Sequence, residues 1–254
     1  MGLVQYFEAY GIDFYEPIPD KLSYSNPVVG QICWAPILHI DTIPRIFEVE
    51  RHNPEQHYYV NYLIRNMRPD DFKGKGKLPV KLLNLREKQE AIIHGASKRP
   101  CILLHYGETI YPDLGPLLKS LGRAHLQRKN NMLLLPLYGI EDDAGHAGGF
   151  PPIMVARIRA MFYDQFLFLP TNAKVPLKDC VGRLDNLQVL VNHHPACDFK
   201  AYKVTDDVFS VIISMLKRWF NLELDEEFNT LVEICNEACP EEALPKIGEG
   251  CGMK

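Results

Sequence analysis

A chain of 254 residues with 46% hydrophobic and 24% charged side chains has the size of one large domain or two small ones, and it is too apolar for a disordered chain. No run of about 18 apolar residues occurs, and the start, Met-Gly-Leu-Val-Gln-Tyr-Phe-Glu-Ala-Tyr, has no basic n-region, so neither a membrane span nor a signal peptide is expected. Seven cysteines without a spaced framework fit a reduced, cytoplasmic setting better than secretion. The formal net charge of −4 hides an asymmetry. From Arg45 to Asn131 there are 16 basic and 9 acidic residues, a net +7, whereas from Asn221 to Lys254 there are 2 basic and 9 acidic, a net −7. A basic middle with an acidic end is the pattern of a polyanion-binding surface with a solubilising or regulatory tail, or of two solvated faces.

In chain order, Pro17, Pro19 and Pro27 break helical continuity, and residues 1–27 read as an irregular N-terminal arm. The β-branched and aromatic run from Val28 to Ala35 predicts a strand, as do Phe47–Val49 and Tyr58–Ile64. Residues 66–77, with Lys73, Lys75 and Lys77 between glycines, predict a basic loop, and Val80–Leu85 a short strand. Pro100–His105 reads as a central strand with Pro100 at its first residue, where the missing N–H is tolerated. A helix is expected over Gly115–Leu121, a strand over Asn131–Tyr138 and a Gly-rich loop over Glu141–Pro152. Ile153–Ile158 and Met161–Leu169 read either as paired strands or as one helix, because periodicity does not separate the two.

The clearest element starts at Thr205, which is placed to cap a helix opened by Asp206 and Asp207 and closed by Lys217 and Arg218. Its stripe of Val208, Val211, Ile212, Met215 and Trp219 has the spacing of a core-facing helix. A second helix is expected over Phe228–Ala238, with fraying from Pro240. Strands with long inserts followed by a late helix favour a mainly β or α+β fold over a parallel α/β sheet.

Several chemistries lack their signatures. The sequence has no Walker A loop, no GxGxxG, no HExxH and no CxxC pair. Gly145-His146-Ala147-Gly148-Gly149 lacks the lysine of a phosphate loop, and His193, His194 and Cys197 read as a polar turn rather than a zinc site. No metal and no cofactor is expected.

One ordered set of segments is more specific. It comprises Val29-Gly30-Gln31-Ile32-Cys33-Trp34, then Lys88-Gln89 and Gly95-Ala96-Ser97-Lys98-Arg99-Pro100-Cys101-Ile102-Leu103-Leu104, then Met132-Leu133-Leu134-Leu135-Pro136-Leu137-Tyr138. Gly182-Arg183-Leu184-Asp185-Asn186-Leu187 follows, and the Thr205-Asp206-Asp207 helix comes last. This order resembles the PemK/MazF family of toxin ribonucleases, with its Gly-Asp-Ile/Val-Trp strand, Arg-Pro-aliphatic strand, Pro-Leu-Thr strand end, Arg-Leu-Gly-x-Leu segment and closing helix. The resemblance covers short segments spread over residues 28–220. It implies an SH3-like β-barrel with a C-terminal helix, here enlarged by insertions near residues 40–90 and 105–130. The expected organisation is an arm (1–27), a single barrel domain (28–222) and an acidic helix with a flexible tail (223–254). It further implies a homodimeric, metal-independent endoribonuclease acting on single-stranded RNA and silenced by an acidic antitoxin-like protein.

By resemblance, Arg99 stands at the family's catalytic arginine, where a guanidinium fork would stabilise charge building on phosphorus. Tyr138 stands where the family carries a catalytic threonine or serine, and Gln31 replaces the usual aspartate. His94, five residues before Arg99, is a candidate proton carrier. Lys98, Arg123, Arg128 and Lys129, near tyrosines suited to base stacking, are candidate RNA contacts. The tyrosine at position 138 keeps a second reading open, in which a catalytically degenerate barrel serves as an RNA-binding or protein-interaction module.

Overall fold

The computed structural model describes residues 2–19, 27–50, 53, 55, 61–71, 89–107, 113–126, 131–141, 149–191 and 196–245. The expected Val80–Leu85 strand, the lysines of the 66–77 loop and the glycines 145 and 148 lie outside these residues, as do residues 246–254.

The chain divides into two compact units, one of residues 1–36 and 98–254 and one of residues 37–97. In the first unit the N-terminal arm is not irregular. Leu3 and Phe7, one helical turn apart and both buried, anchor helix α1 (Leu3–Ala9). Strand β1 (Tyr15–Pro17) then joins the sheet with Pro17 at its last residue, and the next residue, Ile18, still donates to the Ala201 carbonyl of the partner strand (2.9 Å). The prolines end this segment; they do not prevent its structure.

Strand β2 (Gln31–Leu38) begins three residues later than the β-branched run, because Val28–Gly30 form a turn. Gly30 has φ +85°, and a Cβ there would stand 3.3 Å from Val204. Gln31 is fully buried and locks this turn: its Oε1 accepts from the Val28 N–H (3.0 Å), and its Nε2 donates to the Lys200 carbonyl (2.8 Å). Gln31 is therefore a turn-holding residue.

In the second unit, β3 (Arg45–Glu50), β4 (Asn61–Asn66) and β5 (Ala91–Ile93) form an antiparallel sheet in the order β4-β3-β5. Arg65 bridges Glu48 (2.6 Å) and the buried Asp71 (2.7 Å), whose carboxylate also accepts the Arg68 N–H (2.6 Å). Phe47 stacks on Tyr62 across the β3–β4 pair with ring centres 5.4 Å apart.

Back in the first unit, β6 (Ala96–Tyr106) is longer than the Pro100–His105 strand expected. Pro100 stands just before Cys101, where pairing with β7 (Asn131–Gly139) starts, so its missing N–H removes no rung of that ladder. Between these strands, α2 (Leu114–Ser120) occupies the expected helix. The apolar stretch after Pro151 is neither a strand pair nor one helix. It forms α3 (Pro152–Arg159), turns at Met161 with φ +61°, and continues as strand β8 (Phe166–Leu169).

Strands β9 (Cys180–Arg183), β10 (Gln188–Val191) and β11 (Asp198–Val204) complete the sheet, which runs β1-β11-β2-β6-β7-β9-β8 with β10 beside β7. The pairs β1–β11, β11–β2, β6–β7, β10–β7, β7–β9 and β8–β9 are antiparallel, and among the described residues no pairing joins β1 to β8. The fold is α+β with antiparallel sheets.

Helices α4 (Asp206–Trp219) and α5 (Glu226–Glu237) follow. Thr205 starts α4 in extended backbone as expected, but its hydroxyl donates to the Asp13 carbonyl (2.8 Å) and ties the helix start to the chain before β1. One core joins Val208, Ile212 and Met215 of α4, Phe228, Leu231 and Cys235 of α5, and Leu3 and Phe7 of α1 to sheet residues Ile32, Ile102, Leu135 and Leu137. Each such fully buried side chain contributes about 1.5–3 kcal/mol. The acidic C-terminal segment is thus anchored as far as Ala243, which is buried and whose carbonyl accepts from Arg157 Nε (2.7 Å).

Candidate functional site

The alternation that sends Ile102, Leu135 and Leu137 into the helix-covered core leaves the other sheet face to Cys101, Pro136 and their neighbours. Continuing the Cys101–Pro136 register by two residues sets Arg99 opposite Tyr138. The Arg99 guanidinium lies 4.5 Å from the centre of the Tyr138 ring. From the other neighbour, β9, Tyr138 pairs with Val181, so Arg183 stands diagonally across, its guanidinium 5.4 Å from the same ring. One phenol ring is shared by two arginines from the two flanking strands.

The two cations differ in what else they touch. Arg183 grips Asp185 with two hydrogen bonds, Nε to Oδ1 (3.1 Å) and Nη2 to Oδ2 (2.8 Å), which neutralise it. The Arg99 side chain makes no hydrogen bond or ion pair among the described residues, and its Nε is buried without a partner. The phenol end is fixed by a buried relay. Asn186, in the 3-10 turn Leu184–Asn186, donates from Nδ2 to the Tyr138 hydroxyl, and its Oδ1 accepts from Gln188 Nε2 (3.2 Å). With its oxygen accepting from Asn186, the Tyr138 O–H has its own proton left to donate.

Chemically, the cluster offers an uncompensated guanidinium and a phenolic donor on a rigid sheet face. Arg99 and Arg183 against Asp185 leave one net positive charge. That is the inventory of a monoanion-binding site.

No family model, curated protein or solved structure matches this chain.

Of the site residues expected from the sequence, Arg99 and Tyr138 are brought together. Lys98 is exposed beside Arg99 on β6. Arg123 is exposed in the connection between β6 and β7, where its N–H closes the end of α2 on the Leu118 carbonyl (2.7 Å), and its side chain makes no described contact with the cluster. His94 belongs to the second unit, between β5 and β6, with its Nδ1 buried and unpartnered among the described residues. Arg128 and Lys129 lie outside the described residues, as do His193 and His194. Among the described residues no group of three or more His, Cys, Asp or Glu side chains is gathered as metal ligands would be, and no helix is long and apolar enough to cross a membrane.

Arg183, Asn186 and Gln188 received no role from the sequence. Arg183 sits in the Gly-Arg-Leu segment of the resemblance, which was the available signal. The Asn186–Tyr138 bond spans 48 residues and had none.

Proposed function

We propose that this chain is an RNA-binding protein of the PemK/MazF toxin type, whose Arg99–Tyr138–Arg183 face takes a phosphodiester of single-stranded RNA. The observation that carries the reading is Arg99 itself, a guanidinium stacked on a phenol with a buried N–H that no described group accepts. Leaving such a donor unsatisfied costs about 1–3 kcal/mol, and because that atom is closed to solvent, a phosphate oxygen would meet the Nη groups of the same guanidinium. A phosphodiester carries one negative charge, which matches the net +1 of the cluster, and the Tyr138 hydroxyl supplies a second donor to its oxygens.

On this reading the antiparallel sheet is an SH3-like barrel of the family, the working form is a homodimer, and an acidic antitoxin-like protein competes for the basic face. As an endoribonuclease the chain would need no metal. The ribose 2′-oxygen attacks phosphorus, the bond to the 5′-oxygen breaks, and the products are a 2′,3′-cyclic phosphate and a 5′-hydroxyl end. Arg99 compensates the second negative charge that builds on the phosphorane oxygens. The 2′-hydroxyl proton passes to a base, and the leaving 5′-oxygen takes up a proton in turn.

A specific observation favours binding without cleavage. The family's threonine is replaced by a tyrosine whose ring is occupied by two arginines and whose oxygen is tied to Asn186, and both oxygens of the adjacent carboxylate, Asp185, are engaged by Arg183. Incubating end-labelled single-stranded RNA with the protein in chelator separates these forms. Cyclic-phosphate ends that disappear with Arg99→Ala support the nuclease, and retention of intact RNA that weakens with Arg99→Ala supports the binding module. Absence of both at low salt refutes the proposal and leaves a protein-interaction role.

A further inference from the structure

The first unit contains a cavity of about 840 Å³ that shares no lining residue with the Arg99 cluster. Five segments build it: the start of α1, the two residues after β7, α3 with the residues before it, the connection between β8 and β9, and the turn after α5. The walls are tied together. Gly2 presses on the end of α3 so closely that a Cβ there would stand 2.7 Å from the Arg159 carbonyl. On the opposite side, Arg157 holds the chain beyond α5 through the Ala243 carbonyl (2.7 Å). The volume falls within the range of about 300–1,000 Å³ typical of small-molecule sites.

Its lining has two parts. Ile140, Phe150, Val155 and Ala156 offer an apolar surface. Arg159 and Lys178 bring positive charge to the lining and Glu141 and Asp179 negative, and of these Arg159 is positioned from two sides. Its guanidinium lies 4.4 Å from the centre of the Phe168 ring, and its Nη2 donates to Asp179 Oδ2 (3.0 Å). The other oxygen of Asp179 is spent on the Thr171 N–H (2.7 Å), so the carboxylate acts as a fixed strut. The Arg159 side chain is 47% exposed, and its Nε and Nη1 have no hydrogen-bond partner among the described residues, which leaves these donors available at the cavity mouth. A packing defect has apolar walls and no need for a braced guanidinium.

We propose that this cavity binds a small organic acid, with its carboxylate on Arg159 and its apolar body against Phe150 and Val155. Each of the two free nitrogens can donate a charge-assisted hydrogen bond to a carboxylate oxygen.

Fluorescence titration with dansylglycine, an aromatic body carrying one carboxylate, tests the site against dansylamide, the same body without it. For the wild-type protein the expected result is saturable, blue-shifted binding at one site, with the acid bound at least about tenfold tighter than the amide, within the range of a single charge-assisted hydrogen-bonded contact. Arg159→Gln should abolish the preference between the two probes, and Val155→Trp, which fills the cavity, should abolish saturable binding of both. Equal affinity of wild type for acid and amide overturns the proposal without recourse to any variant. So does undiminished binding by a folded Val155→Trp protein, or no saturable binding of either probe.

Discussion

Replacing Arg99 by methionine keeps an apolar stem over Tyr138 and removes the guanidinium, and the proposed RNA-binding role predicts opposite effects on stability and RNA affinity. The free protein loses one cation–π contact, about 0.5–1 kcal/mol. It also sheds a buried N–H with no acceptor, which had cost about 1–3 kcal/mol. The variant should therefore equal the wild type in stability or exceed it by up to about 2 kcal/mol in urea denaturation. With RNA the sign reverses. A charge-assisted hydrogen bond to phosphate is lost, worth about 1.5–3 kcal/mol, so affinity should fall about 10- to 150-fold. Removing one phosphate contact should also flatten the plot of log affinity against log salt by about 0.7. Fluorescence polarisation of a labelled single strand at several salt concentrations measures both quantities. A variant that loses more than about 1 kcal/mol of stability while binding RNA as before would show that Arg99 is a packing residue, and the reasoning would fail.

Tyr138→Phe deletes the acceptor of the buried Asn186 amide and should cost about 1–3 kcal/mol of stability in the same denaturation assay. It also removes a donor to phosphate, so RNA affinity should fall about 2- to 10-fold. Cys197 is only partly buried, yet burial first and the neighbouring Cys33 second push its thiol up to about 11, and Lys98 offsets this only in part. At neutral pH its thiolate fraction should be about a hundredfold below that of an ordinary thiol, and alkylation at pH 7.5 monitored by mass spectrometry should be correspondingly slow. Burial, with Asp179 adding to it, raises the Cys180 thiol from 9.0 to about 12. Because the folded value is the higher one, the stability it contributes is complete below pH 9 and is lost as pH rises toward 12. Cys180→Ala should thus reduce the alkaline slope of unfolding free energy by about 1.4 kcal/mol per pH unit in that window.

Helix α4 was legible because its signals are local. The Thr205-Asp206-Asp207 start and the Val208, Val211, Ile212, Met215, Trp219 stripe lie close together in sequence, and the first four stripe residues are buried while Trp219 is half-buried against the same core. The boundary between α3 and β8 was not. Met161 takes the left-handed turn without a glycine to announce it, so an apolar stretch that changes from helix to strand reads as uniform. Helix α1 was concealed by prolines that come after it. At the site, Arg99 and Tyr138 were visible as the ends of Arg-Pro and Pro-Leu-Tyr motifs, but their stacking follows from the β6–β7 register. Arg183 lay in a quoted motif without a role, since the β9 register that aims it at Tyr138 is tertiary. Asn186 and Gln188, a buried amide relay ending on the phenol, become meaningful only once β10 folds back along β7.

Photo-crosslinking a single-stranded RNA that carries 4-thiouridine, followed by peptide mapping, tests the central claim most directly. The account predicts adducts on the peptides bearing Arg99, Tyr138 and residues 180–188, reduced in Arg99→Met. Adducts confined to other segments, or crosslinks unchanged in that variant, would contradict it.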